Sequence, residues 1–278
     1  TISMIQETPW PAGNTLYEGC TVTLNGIVTA DTAQYNSSYS AYALQDGSGQ
    51  WNGMIFDTDE IVQISRGDDV SVVGLITEYA HGDEFGYQLD GNTRLINASV
   101  SVNSSGNDTP APVVASCEDL SQIAEEVESY EGVLVKLNNV TISAVNQYDW
   151  SITDESGFEA LIDDDMATME ADNMMSSLTE GQGLDYLMGI FNYSYGTYKI
   201  QIRDANDMGQ FVGINDDIQV NPYQYTLHDN FPNPFNPETQ IRFSIGAREN
   251  VQLLVYDVMG RQVRTLVDGQ ELRGGFHV

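Results

Sequence analysis

The chain has 278 residues, with 41 acidic against 10 basic side chains, a formal net charge of −31, and 41% hydrophobic residues. That much apolar material builds packed cores and excludes a disordered chain, whereas a surface so poor in cations is unsuited to neutralising phosphates, so no nucleic-acid partner is expected. No apolar run approaches the ~18 residues that cross a bilayer, and no basic-plus-apolar leader stands ahead of Thr1, so the sequence reads as a soluble, already processed chain with no membrane span.

At the start, Thr1-Ile2-Ser3-Met4-Ile5-Gln6 alternates in the manner of a strand, which makes Ile2, Met4 and Ile5 candidates for a strand donated to another chain. Runs rich in Val, Ile, Thr and Tyr follow at 21–30, 41–45, 53–56, 69–79 and 86–95, separated by Gly, Asn and Asp turns. Five strands in this order predict an OB-like barrel. Residues 103–112, NSSGNDTPAP, read as a polar linker. Beyond it the chain repeats itself: Tyr17-Glu18-Gly19 returns as Tyr130-Glu131-Gly132, Asp46-Gly47-Ser48-Gly49 as Asp154-Glu155-Ser156-Gly157, and the 72–76 strand as 187–191. A second copy of the same β-module is therefore expected. Two helices are predicted within it, over 116–127 with Ser116 or Ser121 as N-cap, and over the Met-rich stretch 165–178. The segments 26–30, 42–49 and 67–70 resemble OB-fold-like modules found beside secreted bacterial nucleases and in surface lipoproteins, a resemblance that informs fold more than function.

The charge balance changes near residue 225. Residues 225–278 hold Arg242, Arg248, Arg261, Arg264 and Arg273 against six acids, which leaves a net of −30 on residues 1–224. In this last stretch Pro232-Asn233-Pro234-Phe235-Asn236-Pro237 is followed by Tyr256-Asp257 and by Gly260-Arg261. These residues resemble the C-terminal sorting domain of proteins exported by the type IX (Por) secretion system, a small Ig-like sandwich that normally continues past the position of His277. The resemblance implies an extracellular or outer-surface location, reached by a signal peptide and then type IX-like secretion, with that machinery as a partner. The expected fold class is all-β: two tandem OB-like β-barrels followed by a partial Ig-like β-sandwich. Domains are expected at 1–108 and 109–212, with a linker at 213–224 and the sorting domain at 225–278, as three beads on short tethers.

Motifs for chemistry are sparse. There is no Gly-x-Ser-x-Gly elbow, phosphate loop or His-Glu-x-x-His, so no catalytic residue is nominated and the chain is expected not to be an enzyme. Asp163, Asp164 and Asp165, with Asp154 upstream, offer enough oxygens for a hard cation such as Ca2+, against the plainer reading of a solvated acidic loop. No other cofactor is expected. Trp51, Trp150, Tyr35, Tyr39, Tyr42, Tyr79 and Tyr87 either stack on a sugar from an open barrel face or serve as core and edge cover. Cys20 and Cys117 either close one disulfide or stay as two buried thiols. The expected function is that of a secreted, non-enzymatic surface protein, structural or adhesive, self-associating into filaments by strand donation or binding other surface proteins. The alternative is a carbohydrate- or calcium-binding accessory module of a secreted enzyme, with glycans as partners.

Overall fold

The computed structural model describes residues 1–8, 14–31, 41–79, 91–124, 126–212, 226–227, 239, 241, 243–245, 249–256, 259–272 and 275–277. The chain is all-β, and two compact units divide it at Gly209.

The first unit opens with one helical turn, α1 (Ser3–Gln6). Five strands follow: β1 (Thr21–Ala30), β2 (Ala41–Gln45), β3 (Gly53–Asp57), β4 (Asp69–Tyr79) and β5 (Asn92–Ser104). They close into a barrel in the order β1-β2-β3-β5-β4, with β3–β5 parallel and the other pairs antiparallel. This is the five-stranded OB topology that the turn spacing predicted. The last strand begins at Asn92 among the described residues, later than its expected start at 86.

After a short strand β6 (Val113–Val114), the pattern repeats with β7 (Leu134–Val145), β8 (Trp150–Thr153), β9 (Glu159–Asp163), helix α2 (Met169–Met175), β10 (Gly183–Ser194) and β11 (Thr197–Gln201). Pairings β7–β8, β8–β9, parallel β9–β11, β11–β10 and β10–β7 close the second barrel in the same order. In each copy the long first strand carries an irregularity, at Val28/Ala30 and at Ile142/Ala144. Such a bulge bends a strand, which lets it leave its fourth-strand partner and pair with the second. Among the described residues the predicted helix over 116–127 is replaced by turns, although Ser116 and Asp119 exchange capping-box bonds, and a 3-10 turn follows at Val127–Tyr130. The Met-rich helix is present in shortened form.

Period-two alternation fills the first barrel with Leu24, Val28, Tyr42, Leu44, Met54, Phe56, Val70, Val72, Ile76 and Leu95. Tyr42 stacks on Phe56 with ring centroids 5.3 Å apart. Ile2 and Ile5 join this core, while Met4 is 63% exposed. The N-terminal segment is therefore a plug and not a donor strand. Spacing of three residues puts Ile2 and Ile5 on one side of a helical turn, the Ile2 N–H donates to Asp46 Oδ2 at 2.7 Å, and Gln6 Nε2 donates to Gly53 O at 2.9 Å. Release of this segment to another chain would expose both isoleucines, at about 1.5–3 kcal/mol each.

The barrels are docked, not tethered. Along β2 and β3 the residues that alternate with the core are Ala41, Ala43 and Gln45 and then Gly53, Ile55 and Asp57. Ala30, Ala43 and Ile55 pack on Leu134, Met166 and Ile190 of the second barrel. Gln45 Oε1 accepts the Leu134 N–H at 2.8 Å, the Trp51 N–H reaches Ser129 O at 2.7 Å, and Asn92 donates to Asn192. Arg203 Nη1 donates to Thr29 O at 2.7 Å, and Arg66 bridges Asp31 at 3.0 Å and Asp204 at 2.8 Å.

Of the two alternatives for Cys20 and Cys117, the disulfide is not formed, and only one of the two thiols is buried. Cys117 is turned into the second barrel with Sγ 3.8 Å from Ile152 O, whereas Cys20 is exposed on the first, and both are free thiols. Burial, with Asp154 beside it, pushes the Cys117 thiol up to about 12.

In the second unit, Thr226–Leu227, Phe243–Ile245 and Gly275–His277 form a three-stranded antiparallel sheet, and Glu249–Tyr256 pairs with Gln262–Leu272 as a hairpin. Phe243 and Ile245, on the middle strand of the three-stranded sheet, are buried.

Two substitutions test these contacts. Ile2→Ala removes a fully buried plug residue and is expected to cost about 2–4 kcal/mol by chemical denaturation. Gly53→Ala places a Cβ 2.2 Å from the Gly132 carbonyl carbon. Its expected cost is about 1–3 kcal/mol, with loss of hydrogen-exchange protection at the Trp51 and Leu134 amides, while the strands within each barrel keep theirs.

Candidate functional site

The face formed by the second and third strands is where OB barrels take ligands. In the first barrel that face, β2 and β3, lies under the second barrel. In the second barrel the matching strands are β8 and β9, extended by β11. Register pairs Ser151 with Leu161, Ile162 with Ile200 and Asp163 with Gln201. Alternation turns Ile152, Ala160, Ile162 and Ile200 into the barrel, each at most 1% exposed, and sets Ser151, Leu161, Asp163, Lys199 and Gln201 on the other side.

There Lys199 Nζ lies 2.8 Å from Asp163 Oδ2 and 3.3 Å from Asp149 Oδ2. Burial works against its charge, but the two carboxylates prevail and hold its pKa above the usual lysine value. Past the end of β9, Asp164 is half-buried and Asp165 exposed, and the Asp165 N–H donates back to Asp163 Oδ1 at 3.2 Å. Partial desolvation and the charge of Asp163 push the Asp165 carboxyl up to about 6, with Lys199 pulling the other way. Asp163, Asp164 and Asp165 can each bring one oxygen to within 4.8 Å of the others, a spacing that fits a divalent cation.

Asp154, expected with them, is elsewhere. It builds the β8–β9 turn, where its carboxylate accepts the Cys117 N–H at 2.8 Å and the Ser156 N–H at 2.9 Å. Partial burial opposes its charge, yet these donors and the Ser156 hydroxyl hold its pKa below the usual value. The sequence reading missed Lys199 and Asp149. A signal was present, since Tyr198, Ile200 and Ile202 alternate with Lys199, Gln201 and Arg203, marking a polar strand face that carries one of only two lysines.

Among the described residues, Tyr42 and Trp150 follow the plainer reading of core and cover. Tyr42 is inside the first barrel, Trp150 is 8% exposed, and Trp51 sits at the junction with φ 65°. Tyr35, Tyr39 and Tyr87 lie outside the described residues, and Tyr79 ends β4. Of the sorting motif, Pro232, Asn233, Pro234, Phe235, Asn236, Pro237 and Asp257 also lie outside them. Tyr256 is 55% exposed at a strand end, Gly260 takes φ 76° in the following turn, and Arg261 is exposed.

The five cations of residues 1–209 are all engaged. Arg66, Arg94, Lys199 and Arg203 pair with carboxylates, and Lys136 lies 4.3 Å over the Tyr186 ring. A cleft of about 510 Å³ beside the junction is itself acidic, lined by Glu118, Asp119 and Glu126.

No family model matches the chain. A curated relative does. Over 263 residues the chain is 26% identical to Endonuclease YhcR of Bacillus subtilis (strain 168), covering 87% of this chain and 20% of that protein. The chain thus spans about a fifth of the length of the relative it matches. This similarity to an endonuclease overturns the expectation of a non-enzymatic structural or adhesive protein assembled by strand donation.

Lys199→Met tests the built part of the site. It leaves the nearly buried Asp163 without its cation, so a loss of about 3–5 kcal/mol is expected in urea unfolding at neutral pH.

Proposed function

We propose that this chain is the tandem-barrel segment of a protein that cleaves nucleic acid, and that a divalent cation held by Asp163, Asp164 and Asp165 lets its acidic surface meet phosphates. The observation that carries this reading is the extent of the similarity. A match over 87% of the chain is longer than either barrel, so the likeness to an endonuclease runs through both.

Charge decides how such a segment would handle its substrate. Residues 1–224 have a net charge of −30, and the cations of the barrel unit are already paired or stacked, so direct contact with a phosphate backbone meets repulsion. Hard carboxylate oxygens suit Mg2+ or Ca2+, and a bound ion supplies a positive centre that attracts phosphate oxygens and polarises the phosphodiester. The protein's own part is to hold the oxygens in place. Lys199 fixes one oxygen of Asp163, and the Asp165 N–H engages the other. Asp163 is itself buried, so an ion held here would be reached past the end of β9, where Asp164 is half-buried and Asp165 exposed.

The test is a plasmid-nicking and oligonucleotide-retention assay on the purified chain in Mg2+, Ca2+, Mn2+ and EDTA. Nicking or retention is expected only with a cation, and is expected to fall about tenfold or more in Asp164→Asn/Asp165→Asn with its unfolding midpoint retained. Absence of both nicking and retention with every cation overturns the proposal.

A further inference from the structure

The motif Tyr-Glu-Gly stands at the entrance to each barrel, so the two copies form an internal comparison. Their backbones agree, with Gly19 at φ 79° and Gly132 at φ 71°. Their glutamates do not. Glu18 is exposed, whereas Glu131 is 2% exposed. The difference lies in what covers them, since β4 and β5 of the first barrel provide the groups that contact the second motif.

Around Glu131 the carboxylates outnumber the cations. The Thr93 N–H donates to Glu131 Oε1 at 2.7 Å, and the Thr93 hydroxyl donates to Glu78 Oε1 at 2.9 Å, so two carboxylates converge on one threonine. Glu131 Oε2 is buried with no hydrogen-bond partner. Glu128, on the 3-10 turn that leads to Glu131, accepts the Tyr198 hydroxyl from β11. Among the described residues the cation facing Glu131 is Arg94 on β5, whose guanidinium is bonded to Asp57 Oδ2 on β3 at 2.9 Å and to Asn92 Oδ1 at 3.1 Å. Glu131 is the buried carboxylate of this group, and its Oε2 is left without a donor. An ionised Glu131 would hold its charge at a buried oxygen that has no hydrogen-bond donor, whereas one bound proton neutralises it.

We propose that Glu131 is uncharged while the barrels are docked and that loss of its proton loosens the docking, which makes the junction a pH-sensitive latch closed on the acid side. Burial foremost, and then the charges of Glu128 and Glu78, push the Glu131 carboxyl well above its usual range, against the Thr93 N–H and Arg94. The proton is held more tightly in the docked form than in an exposed one such as Glu18. Its contribution to docking is therefore complete below the ordinary glutamate range, near pH ~4.3, and is lost as pH rises through the raised value. The latch stands on the geometry of the junction alone and does not depend on any reaction of the protein.

Glu131→Gln is the direct test, because it is nearly isosteric, keeps an acceptor for the Thr93 N–H and cannot ionise. Hydrogen-exchange protection at Trp51, Thr93 and Leu134, corrected for the intrinsic pH dependence of exchange, is followed from about pH 5 to about pH 9. Protection in the unaltered protein is expected to fall across this range and in the Gln variant to stay level; equal pH responses overturn the proposal. If the variant does not fold, infrared spectra of the unaltered protein decide. A carboxylic-acid carbonyl absorption that persists at about pH 7.5, above the titration of Asp165, and disappears together with the protection supports the latch, and its absence overturns it.

Discussion

Two glycine backbones in contact set the arrangement of the tandem barrels. A Cβ on Gly53 would lie 2.2 Å from the Gly132 carbonyl carbon, and one on Gly132 would lie 2.7 Å from that of Gly53. No other residue permits the approach. At that separation Gln45 spans to the Leu134 N–H, Ala43 and Ile55 meet Leu134 and Ile190, and Thr93 reaches Glu131. Each of these contacts has a short reach, so a side chain wedged between the glycines would affect all of them together. Gly132 also needs its positive φ, which makes it doubly constrained, whereas Gly19 in the first copy has open space where a Cβ would go.

The docking assigns different work to two copies of one fold. The β2–β3 face of the first barrel has become interior, with small or apolar Ala43, Gly53 and Ile55 and one buried polar residue, Gln45, that accepts the Leu134 N–H. The β8–β9 face of the second retains polar side chains, with Asp163 and Lys199 at its edge. Electrostatics follows the same division. With few cations available, the molecule places Arg203 and Arg66 at the junction, Arg94 beside the glutamate cluster and Lys199 under the aspartates. Each neutralises carboxylates that burial would otherwise penalise, so within residues 1–209 these cations are already engaged.

Much of this was legible in the sequence. Period-two alternation and the repeated Tyr-Glu-Gly and Asp-x-Ser-Gly turns were enough to locate two five-stranded barrels, because a barrel strand buries every second residue and a turn needs its glycine. Docking was not legible, although Ala43, Gly53 and Ile55 on an outward face hinted at it, since small and apolar residues also occur on ordinary surfaces. The opening segment misled for a definite reason. Ile2, Met4 and Ile5 satisfy both a strand and a helical turn, and in six residues the periods of 2 and 3.6 cannot be separated; the burial of positions 2 and 5 shows which applies. The aspartate run was visible as charge, but its lysine came from a strand 36 residues away, and Asp154 was drawn in by closeness in sequence when its partners are the turn it builds.

The locked cations bear on the medium in which this molecule is at ease. Mobile ions weaken interactions between exposed charges more than a Debye length apart, about 8 Å at physiological ionic strength, and weaken buried pairs much less. Here the attractions are mostly inside and the repulsions mostly outside. Added salt therefore relieves the mutual repulsion of the surface carboxylates while leaving the Arg203–Asp207 and Lys199–Asp163 pairs largely intact. The net effect of ionic strength on this fold is thus carried by its surface and hardly at all by its buried pairs.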